Sequence, residues 1–213
     1  MSICYIFGSA LGEPDFFKPN ESDLVIAADA GYLKLKNLGI TPDLAVGDFD
    51  SLGEIPTDTE VVKHTVKKDD TYTLFAIKIG IEKGFTEFHF YGCTGNRLDH
   101  TFGALQNLSF LAERGCRGYL FGEDFIATAI KNDSLEFGEE KQGNISVFAA
   151  TSECEISIDG LLYTLENKKI TYDFPIGVSN EFIGRKAKIT AHNGTAIIMV
   201  MISRNNNVST QNL

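Results

Sequence analysis

The chain has 213 residues, 43% of them hydrophobic, enough apolar material for one large packed domain or two small ones. Its formal net charge of −10 excludes a nucleic acid as the main partner, because no basic face would release counterions from a polyanion. No apolar run approaches the roughly 20 residues that span a bilayer, and Met1 to Leu11 lacks a charged leader and a long apolar core, so we expect no membrane and a cytoplasmic protein. Cys4, Cys93, Cys116 and Cys154 are unevenly spaced with no Cys-x-x-Cys pair, which reads as reduced thiols rather than a disulfide framework or a zinc site.

In chain order, Cys4 to Phe7 and Leu24 to Ala28 are short apolar runs with polar or glycine exits, as buried strands have. Tyr32 to Leu38 carries apolar residues at 32, 35 and 38 and stops at Gly39, the pattern of a short helix. Pro42 introduces a strand ending at Asp48, and Val61 and Val62 mark another. A helix then follows Lys67-Lys68-Asp69-Asp70-Thr71, with Asp70 or Thr71 as N-cap, Leu74, Phe75, Ile77, Ile79 and Ile81 inward, and Gly84 at its end. Thr86 to Tyr91 is a strand, and past Gly92 to His100 a helix presents Phe102, Leu105, Leu108 and Ala112 to the core until Gly115. Strands alternating with helices predict an α/β domain with a mostly parallel, doubly wound sheet, whose ligands gather at the carboxyl ends of the strands.

The pattern changes near Asp124. Short β-type runs follow at Ala127 to Lys131, Ile145 to Ala149, Glu155 to Ile158, Lys169 to Tyr172, Lys186 to Ala191 and Ala196 to Ile202, with no convincing helix. Asn193-Gly194 between the last two predicts a type I′ hairpin. These runs predict an all-β C-terminal sandwich, so the expected division is residues 1–130 as an α/β catalytic domain, 131–205 as the sandwich and 206–213 as a polar tail. Asn207-Val208-Ser209 in that tail is a chance match to a glycosylation acceptor.

The chemistry gathers at the predicted strand exits and helix entrances. In an extended segment residues i and i+2 point to the same side. Asp48 and Asp50, just past an apolar strand, therefore present oxygens to one hard cation such as Mg²⁺, which relieves their mutual repulsion. With Asp29, Asp69 and Asp70 they would form an acidic crevice that holds metal ions and, through them, a nucleotide's phosphates, with Arg97 and Asp99 at the same edge. Lys67 or Lys68 and Arg97 add the positive charge a phosphoryl transition state requires. Taken singly, each has an ordinary explanation: Asp70 a helix cap, the lysines a solvated face, Arg97 a surface ion pair. The Gly92 to Asp99 loop lets backbone approach phosphate, but it is neither a P-loop nor a dinucleotide fingerprint.

Together these residues resemble the thiamine pyrophosphokinase family. The match runs through Asp29-x-Gly31, Gly-Ile-Thr-Pro-Asp-Leu-x-x-Gly-Asp-Phe-Asp-Ser from Gly39 to Ser51, Lys68-Asp69-x-Thr71 and Gly95-x-Arg97-x-Asp99-His100. It continues through Gly160-Leu161-x-Tyr163-x-Leu165 and Ser179-Asn180-Glu181, covering nearly the whole chain. The resemblance implies transfer of the pyrophosphoryl group of ATP to the hydroxyl of thiamine, giving thiamine diphosphate and AMP. It implies Asp48, Asp50, Arg97 and Asp99 as catalytic, Asp29, Lys68, Thr71, Arg97 and His100 around ATP, and Asp48, Asp50, Asp69 and Asp70 around Mg²⁺. It also implies a homodimer with thiamine at the subunit interface, where Tyr163 stacks on the cationic heterocycle and Ser179 and Asn180 hydrogen-bond the aminopyrimidine. A sandwich core residue is the other reading of Tyr163. The sequence departs from the family where a second Asp is usual: Tyr72 stands there, leaving that ligand role to Asp69 or Asp70. Two competing readings stay open, a Mg²⁺-dependent phosphatase with an aspartyl nucleophile and a thiamine- or nucleotide-binding protein that lacks catalysis.

Overall fold

The computed structural model describes residues 2–10, 14, 17–50, 55–63, 70–95 and 97–202. Its strands form a large mixed sheet of ten and a separate antiparallel sheet of four, and the chain divides into two compact units. The first unit is Met1–Ala104 with Leu120–Glu123; the second is Leu105–Tyr119 with Asp124–Leu213. Among the described residues no helix is long and apolar enough to cross a membrane.

In the first unit β1 (Cys4–Phe7), β2 (Leu24–Ala28), β3 (Leu44–Gly47), β4 (Glu60–Lys63) and β5 (Glu87–Tyr91) pair in the order β5-β1-β2-β3-β4, every pair parallel. Strands β2 and β3 are buried at every position, which explains their unbroken apolar sequences: a parallel strand covered on both faces has no solvent side to alternate toward. Helix α1 (Gly31–Asn37) buries Tyr32 and Leu35, and the Tyr32 hydroxyl donates to Asp58 Oδ1 at 2.5 Å, tying it to the chain before β4. Aromatic rings fill the sheet's neighbourhood: Tyr91 stacks on Phe121 at 4.5 Å and on Phe7 at 5.3 Å. Each such buried ring contributes about 1.5–3 kcal/mol through removal from water.

Helix α2 (Tyr72–Glu82) starts at Thr71, whose hydroxyl accepts the Leu74 N–H at 3.2 Å, so Thr71 is the cap. Its buried residues are Ala76, Ile77 and Gly80; Leu74, Phe75, Ile79 and Ile81 are half-buried. The apolar sequence is too continuous to mark one face; of the residues expected inward Ile77 is fully buried, and the small Ala76 and Gly80 complete the covered face. Helix α3 (Leu98–Ala112) meets expectation at Leu108 and Ala112 and departs from it at Phe102. Phe102 is 61% exposed, while Ala104, Leu108, Leu111 and Ala112 are buried.

Strand β6 (Arg117–Phe121), not anticipated, lies at the division between the units. In the second unit β7 (Phe125–Lys131), β8 (Ser134–Phe137), β9 (Asn144–Ala149), β10 (Glu153–Asp159), β11 (Leu165–Thr171), β12 (Asn180–Glu181), β13 (Ala187–Asn193) and β14 (Thr195–Met201) pair antiparallel in two sets, β12-β9-β14-β7 and β11-β10-β13-β8. Ile130, Ile145, Val147, Ile156, Ile189 and Ile198 are among the residues of their common core. Strand β10 shows the alternation of buried and open positions that a sheet with one covered face requires.

The Asn193-Gly194 hairpin is absent. Strand β13 pairs with β8 and β10, whereas β14 pairs with β7 and β9, so the chain changes sheets at Gly194. Of the two turn residues only Gly194 has positive φ, at 101°, and a type I′ turn requires both. The partner strand makes the same crossing, from β7 to β8, through Asn132 at φ 48°. The corners are joined: Gly194 N donates to Asn132 Oδ1 at 3.2 Å. An antiparallel ribbon thus bends from one sheet into the other, and β7 belongs with β14 by seven paired residues.

Candidate active site

The carboxyl ends of β1, β2, β3 and β5 lie side by side in the first unit, because Phe7 is in register with both Ala27 and Tyr91, and Ala28 with Val46. Asp29 follows β2 at once in a left-handed conformation, φ 52°, and its N–H donates to Val46 O at 2.8 Å. The chain past β3 is a turn rather than the extended segment expected. Phe49 has φ 59° and is 2% exposed, with Asp48 and Asp50 exposed on either side. A left-handed non-glycine residue costs on the order of 1–3 kcal/mol, which burial of the phenyl ring offsets. The buried ring is the anchor that leaves both carboxylates outside. The Asp50 N–H donates to Asp48 Oδ1 at 3.3 Å, closing the turn.

Tyr72, the first residue of α2, reaches this turn. Its hydroxyl donates to the Asp48 carboxylate, and that bond, helped by the Asp50 N–H, holds the Asp48 carboxyl below its ordinary range. Burial, the Asp48 bond, and the negative charges of Asp48, Asp29 and Asp50 push the Tyr72 phenol up to about 12. Three of the predicted carboxylates therefore act on one phenol. Sequence reasoning marked Tyr72 only as a departure from a pattern; its position one residue inside a capped helix is what aims it at Asp48.

Other predicted residues are placed differently. Asp70 is bound by Lys78, whose Nζ donates to both its oxygens at 2.8 and 2.7 Å. Thr71 is engaged as the α2 cap. Lys67, Lys68 and Asp69 lie outside the described residues, as does Ser51. Arg97 makes a two-pronged pair with Asp99, Nε to Oδ1 at 2.9 Å and Nη2 to Oδ2 at 2.7 Å. The Arg97 guanidinium holds the Asp99 carboxyl well below the usual carboxylate range. Both members are about two-thirds exposed, so the pair contributes little to stability. His100 is exposed in the first turn of α3. Among the described residues no three Asp, Glu, His or Cys side chains form a complete metal cage.

In the second unit Tyr163 is 65% exposed, which rules out a core role. Asn180, 6% exposed, bonds the main chain of Tyr163 in both directions. Ser179 is exposed beside it at φ 60°, its N–H donating to Ser146 Oγ at 3.1 Å.

With this geometry in view, residues 19–120 match the family model described as thiamin pyrophosphokinase, catalytic domain, and residues 134–196 the model described as thiamin pyrophosphokinase, vitamin B1 binding domain. The chain is similar to the thiamine pyrophosphokinase of Bacillus subtilis (strain 168), 27% identical over 191 residues, which are 86% of this chain and 88% of that one. Its fold is similar to the crystal structure of thiamine pyrophosphokinase from Bacillus subtilis, with TM-score 0.79 at 23% identity over 95% of this chain and 100% of that chain. The structure of thiamin pyrophosphokinase from Geobacillus thermodenitrificans is similar at TM-score 0.78 and 23% identity, over 98% and 100%. The yeast thiamin pyrophosphokinase structure is similar at TM-score 0.74 and 15% identity, over 96% and 87%.

Proposed function

The chain belongs to the thiamin pyrophosphokinase family, and from that premise we propose how its residues divide the work of making thiamine diphosphate from thiamine and ATP. The observation that carries the reading is that Asp29 and the Asp48–Asp50 turn follow directly on the neighbouring carboxyl ends of parallel strands β2 and β3, with Asp29 N bonded to Val46 O and Asp50 N to Asp48 Oδ1. Oxygen donors of this kind fit Mg²⁺, which is commonly held by one or two carboxylates while keeping waters and substrate phosphates. Two carboxylates on a pinned turn suffice without a full protein cage. Asp48 and Asp50 would hold the ion, with Asp69 as a further carboxylate; Asp70 would join only by giving up Lys78. When bound, the ion offsets the charge of the ATP phosphates.

Asp29, Lys68, Thr71, Arg97 and His100 surround ATP in this reading. The thiamine hydroxyl oxygen bonds to the β-phosphorus while the bond from that phosphorus to the α-phosphate bridging oxygen breaks, and AMP leaves with the electron pair. Arg97 faces the charge on the transferring group, steadied by Asp99 through two hydrogen bonds. The hydroxyl proton passes to Asp50 or Asp99. With its carboxyl held so low, Asp99 is a weak base, which suits a late proton transfer in a loose phosphoryl transition state.

ATP and Mg²⁺ belong in this reading to the α/β part, expected from the sequence at residues 1–130, and thiamine to the β-sandwich expected at 131–205, to which β7 (Phe125–Lys131) is joined by its pairing with β14. Tyr163 and Ser179 face thiamine there, while the Asn180 carboxamide, expected on the aminopyrimidine, is engaged by the Tyr163 main chain. The exposed Tyr163 ring supports stacking on a flat cation. A homodimer with the thiamine site at the subunit interface is supported by the large apolar side chains exposed between 162 and 183, among them Tyr172, Phe174, Ile176 and Val178. Four unpaired cysteines support residence in the reducing cytoplasm.

The deciding experiment is AMP formation from Mg²⁺-ATP with and without thiamine, the products separated by chromatography. AMP and thiamine diphosphate appearing together, and only with thiamine, are expected. Free phosphate from simple esters without ATP would point to a phosphatase, and thiamine binding without AMP to a protein that has lost catalysis.

A further inference from the structure

The segment that carries Tyr163 enters from β10 through Gly160, at φ 74°, where a Cβ would meet Lys186 O at 2.0 Å; only glycine fits this turn. Beyond it Leu161 bridges Phe182 and the Leu162 N–H donates to Glu181 O at 3.0 Å. Main-chain pairing then gives way to a side chain. Asn180 Oδ1 accepts the Tyr163 N–H at 2.9 Å and Asn180 Nδ2 donates to Tyr163 O at 2.7 Å. A carboxamide carries the donor and acceptor of a peptide group, so it extends the antiparallel pairing by one residue. Oδ1 also accepts the Glu181 N–H at 2.9 Å. The amide is only 6% exposed, and Asn180 is itself fixed by its pairing with Ile145 of β9. It braces the backbone beneath an open aromatic ring.

We propose that Asn180 is a positioning residue for Tyr163, holding the main chain under the ring that stacks on thiamine and acting through that ring rather than on the substrate. The inference rests on the reading of Tyr163 given above. A ring presented on a fully bonded backbone has less freedom to lose when a ligand binds, and so binds it better.

The chain contains no tryptophan, so Tyr163→Trp introduces a sole indole, excitable apart from the tyrosines, at the position in question. Thiamine should quench the indole of that variant, and adding Asn180→Ala should lower its anisotropy and weaken the quenching. In the otherwise unaltered full chain, Asn180→Ala and Tyr163→Ala should each raise the KM for thiamine roughly tenfold with the KM for ATP unchanged. The double variant should then be no worse than Tyr163→Ala alone. Multiplying effects in the double variant, or a normal KM in Asn180→Ala beside a raised one in Tyr163→Ala, would overturn the positioning role. A normal KM in Tyr163→Ala would instead sink the stacking reading itself. Should Asn180→Ala fail to fold, Asn180→Ser takes its place in the same cycle. Amide exchange of Tyr163 in the unaltered chain is then read alongside, slow exchange being expected and exchange at the solvent rate contradicting the brace.

Discussion

At the scale of single residues, Phe49 shows how an apolar side chain makes a polar site. Its burial holds a left-handed turn, and the turn leaves Asp48 and Asp50 outside. Asp48→Asn keeps the turn's shape but removes a charge from an exposed position, so turnover should fall by about 10²-fold or more while thermal stability stays unchanged. Assaying AMP release beside a melting curve checks this; normal activity would remove Asp48 from the ion-binding set. Tyr72→Phe separates the phenol's bond from its bulk. Losing one donor to an exposed carboxylate should lower kcat/KM for ATP by roughly tenfold or less and leave the KM for thiamine alone, and steady-state kinetics in each substrate would show a change confined to thiamine if Tyr72 served that substrate instead. That Asp48 and Asp50 follow directly on β3 was legible in the sequence; that a left-handed turn rather than an extended segment carries them was not. The role of Tyr72 was not, because a tyrosine one residue into a helix says nothing about what its hydroxyl will meet.

Among the elements, α2 illustrates a packing decision that outweighs propensity. Alanine is a better helix former than glycine by about 1 kcal/mol. At Gly80, however, a Cβ would meet the Phe88 ring at 2.6 Å and Cys4 Sγ at 2.9 Å, and overpacking of this kind costs about 1–3 kcal/mol. Gly80→Ala should therefore lower stability by about 1 kcal/mol, read from urea unfolding; a more stable variant would show that the sheet yields to the methyl group. Strand β5 carries a second consequence. His89 is 4% exposed, and burial holds its pKa below 6.5 even though Nε2 lies 2.9 Å from Glu87 Oε1. The unfolded chain takes up a proton near pH 6.5 and the folded chain resists it, so stability falls as pH drops below 6.5 and rises again with pH through that window. Melting temperatures between pH 7 and 5 should show this slope in the native chain and a shallower one in His89→Gln; equal slopes would mean that Glu87 compensates fully.

For the whole molecule, the ribbon that bends through Asn132 and Gly194 links the two sheets of the second unit by covalent chain and by hydrogen bond. Seven large apolar side chains from Leu162 to Ile183 remain open to solvent there. A surface of that kind is normally covered by a partner. Size-exclusion with light scattering should give twice the mass of one chain, and charged substitutions at Phe174 and Ile176 should halve it and weaken thiamine binding together. A monomer that binds thiamine at full strength would refute the shared site.

Sequence by itself determined the parallel strands of the first unit, the carboxylates past their ends and the β-rich second half. These follow from local rules: buried strands need unbroken apolar runs, and capped helices need their cap within a residue or two. Only the tertiary structure decided that β13 and β14 part company at Gly194, that α2 buries Ala76 and Gly80 beside Ile77 and that Asp70 belongs to Lys78. It alone brought Tyr72 to Asp48 and Asn180 under Tyr163. Each of those outcomes depends on which of several compatible neighbours lies within hydrogen-bonding or packing distance. Distances between residues far apart in sequence are set by the packing of the whole unit rather than by the local pattern.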